Sequence, residues 1–160
     1  MTILVKLHKI NKMPKSTIIG LGFYVPGNIV SNHDLTNIME TSDEWITERT
    51  GIKERRWVND DKLSTSLMGT YAAEKAICDS GLDKNVIDFI IFSTLSPDYY
   101  FPGSGVLLQK NLGIKEVGAL DVRNQCSGFI YGLSIADQYI KSGMYKNILV
   151  VGSEIHSGGL

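Results

Sequence analysis

Asp121–Met144 reads DVRNQCSGFIYGLSIADQYIKSGM, and the way its first third divides decides the fold. Val117–Val122 is a β-rich run; Arg123, Asn124 and Gln125 turn it into Cys126, and helical spacing begins at once with Phe129, Ile130, Leu133, Ala136 and Ile140. Strand, sharp turn and helix are therefore expected in that order, with Cys126 at the helix N-terminus. The electropositive end of a helix favours a thiolate, which is the nucleophilic form of cysteine. Gly128 and Gly132 leave one side of the helix without side chains, so another backbone or a substrate can approach there. Apolar residues fill most of the rest, which predicts a helix buried in the core and a dry nucleophile suited to thioester chemistry. The competing reading makes Cys126 one more buried core cysteine.

Upstream, Ser16–Leu21 (STIIGL) reads as a buried strand followed by a glycine and proline turn. Gly20 and Gly22 form a G-x-G, but Val25 stands where a dinucleotide fingerprint needs its third glycine, so nucleotide binding is a weak reading. Ser31 or Asn32 is placed to cap a short helix carrying Leu35, Ile38 and Met39, and Thr41 or Ser42 a second over Trp45 and Ile46 that Gly51 stops. Ser64–Ser80 is strongly helical, with Leu67, Tyr71, Ala72, Ile77 and Cys78 near one face and Gly81 as terminator; Cys78 is expected in the core. Val86–Leu95 (VIDFIIFSTL) and Ile148–Gly152 (ILVVG) are continuous apolar strands of the kind buried on both faces. Between them lie the SPDYYFPGSG loop and a helix over Val106–Leu112. The alternation predicts an α/β fold with a mostly parallel sheet covered by helices on both faces.

The chain has 160 residues, 16 basic and 17 acidic, and a net charge of -1. That balance gives no electrostatic ground for binding nucleic acid or an anionic membrane. Cys78 and Cys126 are too few and too far apart for a secreted disulfide framework, which fits a reducing cytoplasm. No stretch reaches the ~18 apolar residues of a membrane helix. His8, His33 and His156 have no recognisable metal-ligand spacing with either cysteine, so no metal site is expected. Residues 1–14 are basic and weakly patterned, and read as an N-terminal extension to a domain over 15–160.

TSDEWITERTGIKER at Thr41–Arg55, YYFPGSG at Tyr99–Gly105, NQCSGFIYGLSIADQYIKSG at Asn124–Gly143 and LVVGSE at Leu149–Glu154 together resemble β-ketoacyl-acyl-carrier-protein synthase III, of the thiolase superfamily. The resemblance runs in register from about Lys15 to Leu160 and implies one half of a duplicated, thiolase-like α/β architecture. It implies an acyltransferase that starts fatty-acid synthesis. In that chemistry the cysteine at the position of Cys126 takes an acyl group from acyl-coenzyme A. Malonyl on acyl carrier protein then loses carbon dioxide, and its carbanion attacks the acyl group. The backbone NH of Cys126 would form half of an oxyanion hole. Thr41, Trp45 and Arg49 match coenzyme A contacts, with Trp45 stacking on adenine and Arg49 reaching the nucleotide and phosphates. Phe101 matches a residue that crosses to line the partner's acyl pocket, which implies a homodimer. No cofactor is implied, since coenzyme A arrives as the substrate thioester. Lys53, Arg55 and Arg56 are a charge run that reads as a solvated face.

The sequence departs from the family pattern in three ways. The family's catalytic histidine and asparagine and its second oxyanion donor match no residue here; His156 fits neither position and is expected to be structural or exposed. That predicts an N-terminal portion of a longer enzyme. Asn124 and Gln125 replace a smaller pair before the nucleophile, and Gly158 stands where a second adenine-stacking arginine is expected. These two leave room for a specialised ketosynthase of secondary metabolism using carrier-bound donors. The missing histidine and asparagine also allow a non-catalytic partner that only supports dimerisation.

Overall fold

The computed structural model describes the backbone of residues 1–10 and 13–157 and the side chains of residues 1–6 and 15–157. It divides into two compact units, Met1–Tyr24 with Ser64–Glu154, and Val25–Leu63 with Ile155–Leu160. Gly158, which stands where the resemblance implies a second arginine, lies outside the described residues.

The first unit is built on five strands: β1 (Thr2–Ile10), β2 (Met13–Gly22), and three later strands. Of the strands in the second unit, β3 is Asn28–Ser31 and β4 is Glu54–Trp57. The continuous apolar runs become β5 (Phe89–Ser93), with all five residues buried, and β7 (Asn147–Gly152), in which Ile148, Leu149, Val150 and Val151 are fully buried. β6 is Gly118–Val122, and the sheet order is β2-β1-β7-β5-β6. β5 runs parallel to β6 and to β7, with Phe92 level with Asp121 and Val151. β1 runs antiparallel to both β7 and β2. The α/β fold expected from the alternation is the one observed, but the sheet is mixed rather than mostly parallel. The reason is that residues 2–10, read as part of an extension, form an inner strand.

Side chains alternate along each strand, so the sheet has two apolar faces. Leu4, Ile90, Phe92, Leu149 and Val151 face one way, packed with Ala73, Leu108 and Leu112 of α3 (Thr65–Ser80) and α4 (Ser104–Leu112). Ile3, Val5, Phe89, Ile91, Ile148 and Val150 face the other, against Ala136 and Ile140 of α5 (Gly128–Lys141). Each fully buried branched side chain contributes about 1.5–3 kcal/mol relative to exposure.

In α3, Ser64 caps the first turn by accepting from the Leu67 amide at 3.3 Å, and Gly81 ends the helix at φ 66°. Its buried face is small: Gly69, Ala72, Ala73 and Ala76. Small residues let β2 come close. A Cβ at Gly20 would lie 2.2 Å from the Ala76 carbonyl oxygen, and one at Gly22 2.1 Å from that of Ala72. The G-x-G is thus a strand–helix contact. Cys78, expected in the core, is exposed, and Tyr71 is 37% exposed, because the helix sits on its alanine stripe and turns both outward.

In the second unit β3 pairs antiparallel with β4, two strands that at four residues each are too short to carry much periodic signal. α1 is only Asn32–Leu35, held by a capping box between Ser31 and Asp34, so Ile38 and Met39 lie beyond it and are exposed. α2 (Asp43–Thr50) begins at Ser42, which accepts from the Trp45 amide at 3.1 Å, and ends at Gly51. Val30, Leu35 and Ile46 are buried together with Trp57 packed on them.

Candidate active site

The strand β6 leads through Arg123 and Asn124 into the turn that carries Cys126. Asn124 Oδ1 accepts from the Gln125 amide at 2.7 Å, and the Gln125 carbonyl accepts from the Gly128 amide at 2.7 Å, so the turn is closed on either side of the cysteine. Cys126 lies two residues ahead of α5, whose N-cap, Ser127, makes no side-chain hydrogen bond to the first turn. The expected position at a helix entrance is therefore observed, but the expected dryness is not: Cys126 is exposed. The helix also buries one face only, through Gly128, Gly132, Ala136 and Ile140, while Ile130 is 60% and Tyr131 50% exposed. Of the two approaches open at Gly132, the sheet takes it. A Cβ there would meet Ser93 Oγ and Val150 at 3.2 Å and Ile91 at 3.3 Å.

Phe101 projects from the loop between β5 and α4 and is 93% exposed, beside Tyr100 at 87%. Three carboxylates fix the loop. Asp98 accepts from the Ser66 amide and hydroxyl at 3.0 Å and from the Ser104 hydroxyl at 2.9 Å, which joins the starts of α3 and α4. Burial alone would push its carboxyl up, but the donors Ser64, Ser104 and Ser66 outweigh it and hold it below its ordinary value. Asp121 accepts from the Gly105 amide at 2.8 Å and acts as the cap that Gly103 cannot provide. Burial pushes Asp121 up, against the Gly105 amide and the nearby Arg123. Glu154, just past β7, accepts from the Leu95 amide at 2.9 Å, the Ser96 amide at 2.6 Å and the Thr94 hydroxyl at 3.1 Å, and from the Ser96 hydroxyl. Burial again opposes these donors and loses, so the Glu154 carboxyl sits below its ordinary value.

In the second unit, α2 displays Trp45 and Arg49 one turn apart. Trp45 is 54% exposed, and the Arg49 guanidinium lies 4.5 Å from its ring centroid. Ile46, not Trp45, is the residue this helix buries. A flat indole and a cation left on the surface can receive an aromatic base and an anion. Thr41 is half-buried, and its hydroxyl oxygen has no hydrogen-bond partner among the described residues. Arg55 is structural: it donates to Asn32 Oδ1 at 2.6 Å and to the Val30 carbonyl at 3.2 Å. Lys53, His33 and His156 are exposed.

Sequence reading does not give the tertiary roles of the residues that hold these features. Buried Asn32 donates from Nδ2 to Asp43 Oδ1 and the Ile52 carbonyl, both at 2.7 Å, and so ties α1 to α2. Asp98, Asp121, Arg123 and Glu154 likewise bond to residues remote in sequence, for which no local spacing is a signal. Among the described residues no group of three or more His, Cys, Asp or Glu is arranged to hold a metal ion, and no helix is long and apolar enough to cross a membrane.

A family profile for 3-oxoacyl-[acyl-carrier-protein (ACP)] synthase III matches residues 120–160, which include the Cys126 turn. A β-ketoacyl-[acyl-carrier-protein] synthase III of Chlamydia pneumoniae is 50% identical over 145 residues, covering 91% of this chain and 43% of the relative. The crystal structure of 3-oxoacyl-[acyl-carrier-protein] synthase III from Aquifex aeolicus VF5 superimposes with a TM-score of 0.85 at 44% identity, over 96% of this chain and 46% of that one. The priming β-ketosynthase of the R1128 polyketide biosynthetic pathway superimposes with a TM-score of 0.84 at 32% identity, over 92% of this chain and 44% of that one. The chain thus spans less than half the length of each of these relatives.

Proposed function

We propose, from the likeness of this chain to 3-oxoacyl-[acyl-carrier-protein] synthase III over the part of those proteins that it spans, that it serves an acyltransferase in which Cys126 carries the acyl group. The exposed cysteine in a closed turn ahead of α5 is the observation that supports this reading. The Cys126 thiolate attacks the carbonyl carbon of acyl-coenzyme A, its backbone NH steadies the developing oxyanion, and the coenzyme A thiolate leaves. Malonyl on acyl carrier protein then loses carbon dioxide, and the resulting carbanion attacks the acyl carbon and expels the Cys126 thiolate. The new carbon–carbon bond makes a β-ketoacyl thioester, the first step of fatty-acid synthesis.

The exposed Trp45–Arg49 pair supports a role in holding the adenine and phosphates of coenzyme A, with Thr41 beside them in sequence. Exposed Phe101 and Tyr100 support a homodimer in which Phe101 reaches the partner's acyl pocket. A cytoplasmic location goes with this chemistry.

A second reading, with the acyl group delivered on a carrier protein, draws on the polar Asn124–Gln125 pair before the nucleophile and on the likeness to the priming ketosynthase. Intact mass after incubation with acetyl-coenzyme A or acetyl-carrier protein separates the two. One acetyl group on Cys126 from the coenzyme A donor, lost in Cys126→Ala, is the expected result; labelling that survives Cys126→Ala removes the proposal.

A further inference from the structure

The loop from Leu95 to Gly103 carries three consecutive aromatic residues into solvent, Tyr99, Tyr100 and Phe101, at 62%, 87% and 93% exposure. An aromatic crest with so little burial has no packing of its own to choose one conformation. Glu154 and Asp98 hold the entry of the loop, and the end of β6 holds its crest and its exit. Asp121 holds the exit of the loop: it accepts from the Gly105 amide at 2.8 Å, and its carboxylate occupies the space beside Gly103, where a Cβ would lie 1.3 Å from Asp121 Oδ2. Arg123, two residues on, holds the crest. Its guanidinium donates to the Tyr100 carbonyl at 3.3 Å and lies 4.9 Å from the centroid of the Tyr100 ring. Backbone and ring of one residue are thus held by one side chain.

The next residues after Arg123 are Asn124, Gln125 and Cys126. The same short segment therefore bears the nucleophile and grips the loop that bears Phe101. We propose that Arg123 is a positioning residue that sets how far Phe101 projects and thereby which acyl groups are accepted, an inference that rests on the acyl-transfer reading above. Arginine suits this use better than lysine, because its planar guanidinium stacks on the ring while an edge NH donates to the carbonyl, whereas an ammonium does one or the other.

The test uses the full chain and its Arg123→Met, Arg123→Lys and Cys126→Ala variants, with acetyl-, butyryl- and hexanoyl-coenzyme A as donors. Two quantities are read: the ratio of acylation rates between donors, by intact mass, and amide hydrogen exchange over residues 99–103. Arg123→Met is expected to retain acetyl transfer, to change the hexanoyl-to-acetyl ratio by roughly two- to five-fold, the shift that one exposed cation–π contact sustains, and to speed exchange over 99–103. Arg123→Lys is expected to fall between Met and the parent in both. An unchanged ratio or unchanged exchange in Arg123→Met overturns the inference. If the parent chain takes no acyl group, or Cys126→Ala still does, the acyl-transfer reading fails instead, and the exchange data alone decide whether Arg123 holds the loop.

Discussion

Replacing Leu4 by alanine tests whether the first residues of the chain belong to its core. Leu4 is fully buried in β1, level with Gly20 on β2 and Leu149 on β7, and packs in the cluster that includes Ala73, Ile90 and Phe92. The substitution deletes three carbon groups, which at ~0.8 kcal/mol each removes about 2.4 kcal/mol of burial. The cavity between the sheet and α3 adds to this, because strands paired on both sides cannot close over it, and brings the loss to about 3–4 kcal/mol. Urea unfolding followed by far-ultraviolet circular dichroism measures it as a lower midpoint at unchanged slope. Lys6→Ala, on the same strand but exposed, serves as control and is expected within about 0.5 kcal/mol of the parent. A Leu4→Ala protein as stable as the Lys6→Ala control would refute the placement of β1 inside the sheet, and with it the mixed topology.

Two further outcomes follow from the packing and the carboxylates. Gly22→Ala puts a methyl 2.1 Å from the Ala72 carbonyl oxygen. A backbone atom cannot swing aside, so the protein is expected to lose about 1–3 kcal/mol in thermal or urea unfolding; an unchanged midpoint would show that β2 and α3 do not meet there. Glu154 and Asp121 should respond to pH with opposite signs. Glu154 lies below its ordinary value of 4.5, so its stabilisation relative to Glu154→Gln is present above that pH and is lost as pH falls through the lowered folded value. Asp121 lies above its ordinary value of 3.8, so its advantage over Asp121→Asn is full below that pH and disappears as pH rises through the folded value. Unfolding free energies of both variants across pH 3 to 7, a window of roughly the usual carboxylate range, check the signs; parallel curves for the two variants would contradict them.

Local patterns made much of the fold legible. Continuous apolar runs around Ile90 and Val150 marked strands buried on two faces, Gly51 and Gly81 end the helices that they were expected to end, and of the two caps offered for α2, Thr41 and Ser42, it is Ser42 that serves. The strand, turn and helix around Cys126 were likewise readable, because each depends on residues within a few positions of one another.

Tertiary structure decided what depends on distant partners. Nothing in residues 2–10 announces that they lie between two strands, since the pairing partners are Val5 with Ile148 and with Ile18. Cys78 is exposed: periodicity says only that a helix has a buried side, whereas the neighbouring sheet decides which side that is; Cys126 is exposed in the turn ahead of α5, where no helix face covers it. The grip of Arg123 on Tyr100 and of Asp98, Asp121 and Glu154 on the loop around Phe101 appears only once β5, β6 and β7 stand side by side. Backbone propensity is a property of neighbours in the chain, while burial and hydrogen-bond satisfaction belong to neighbours in space.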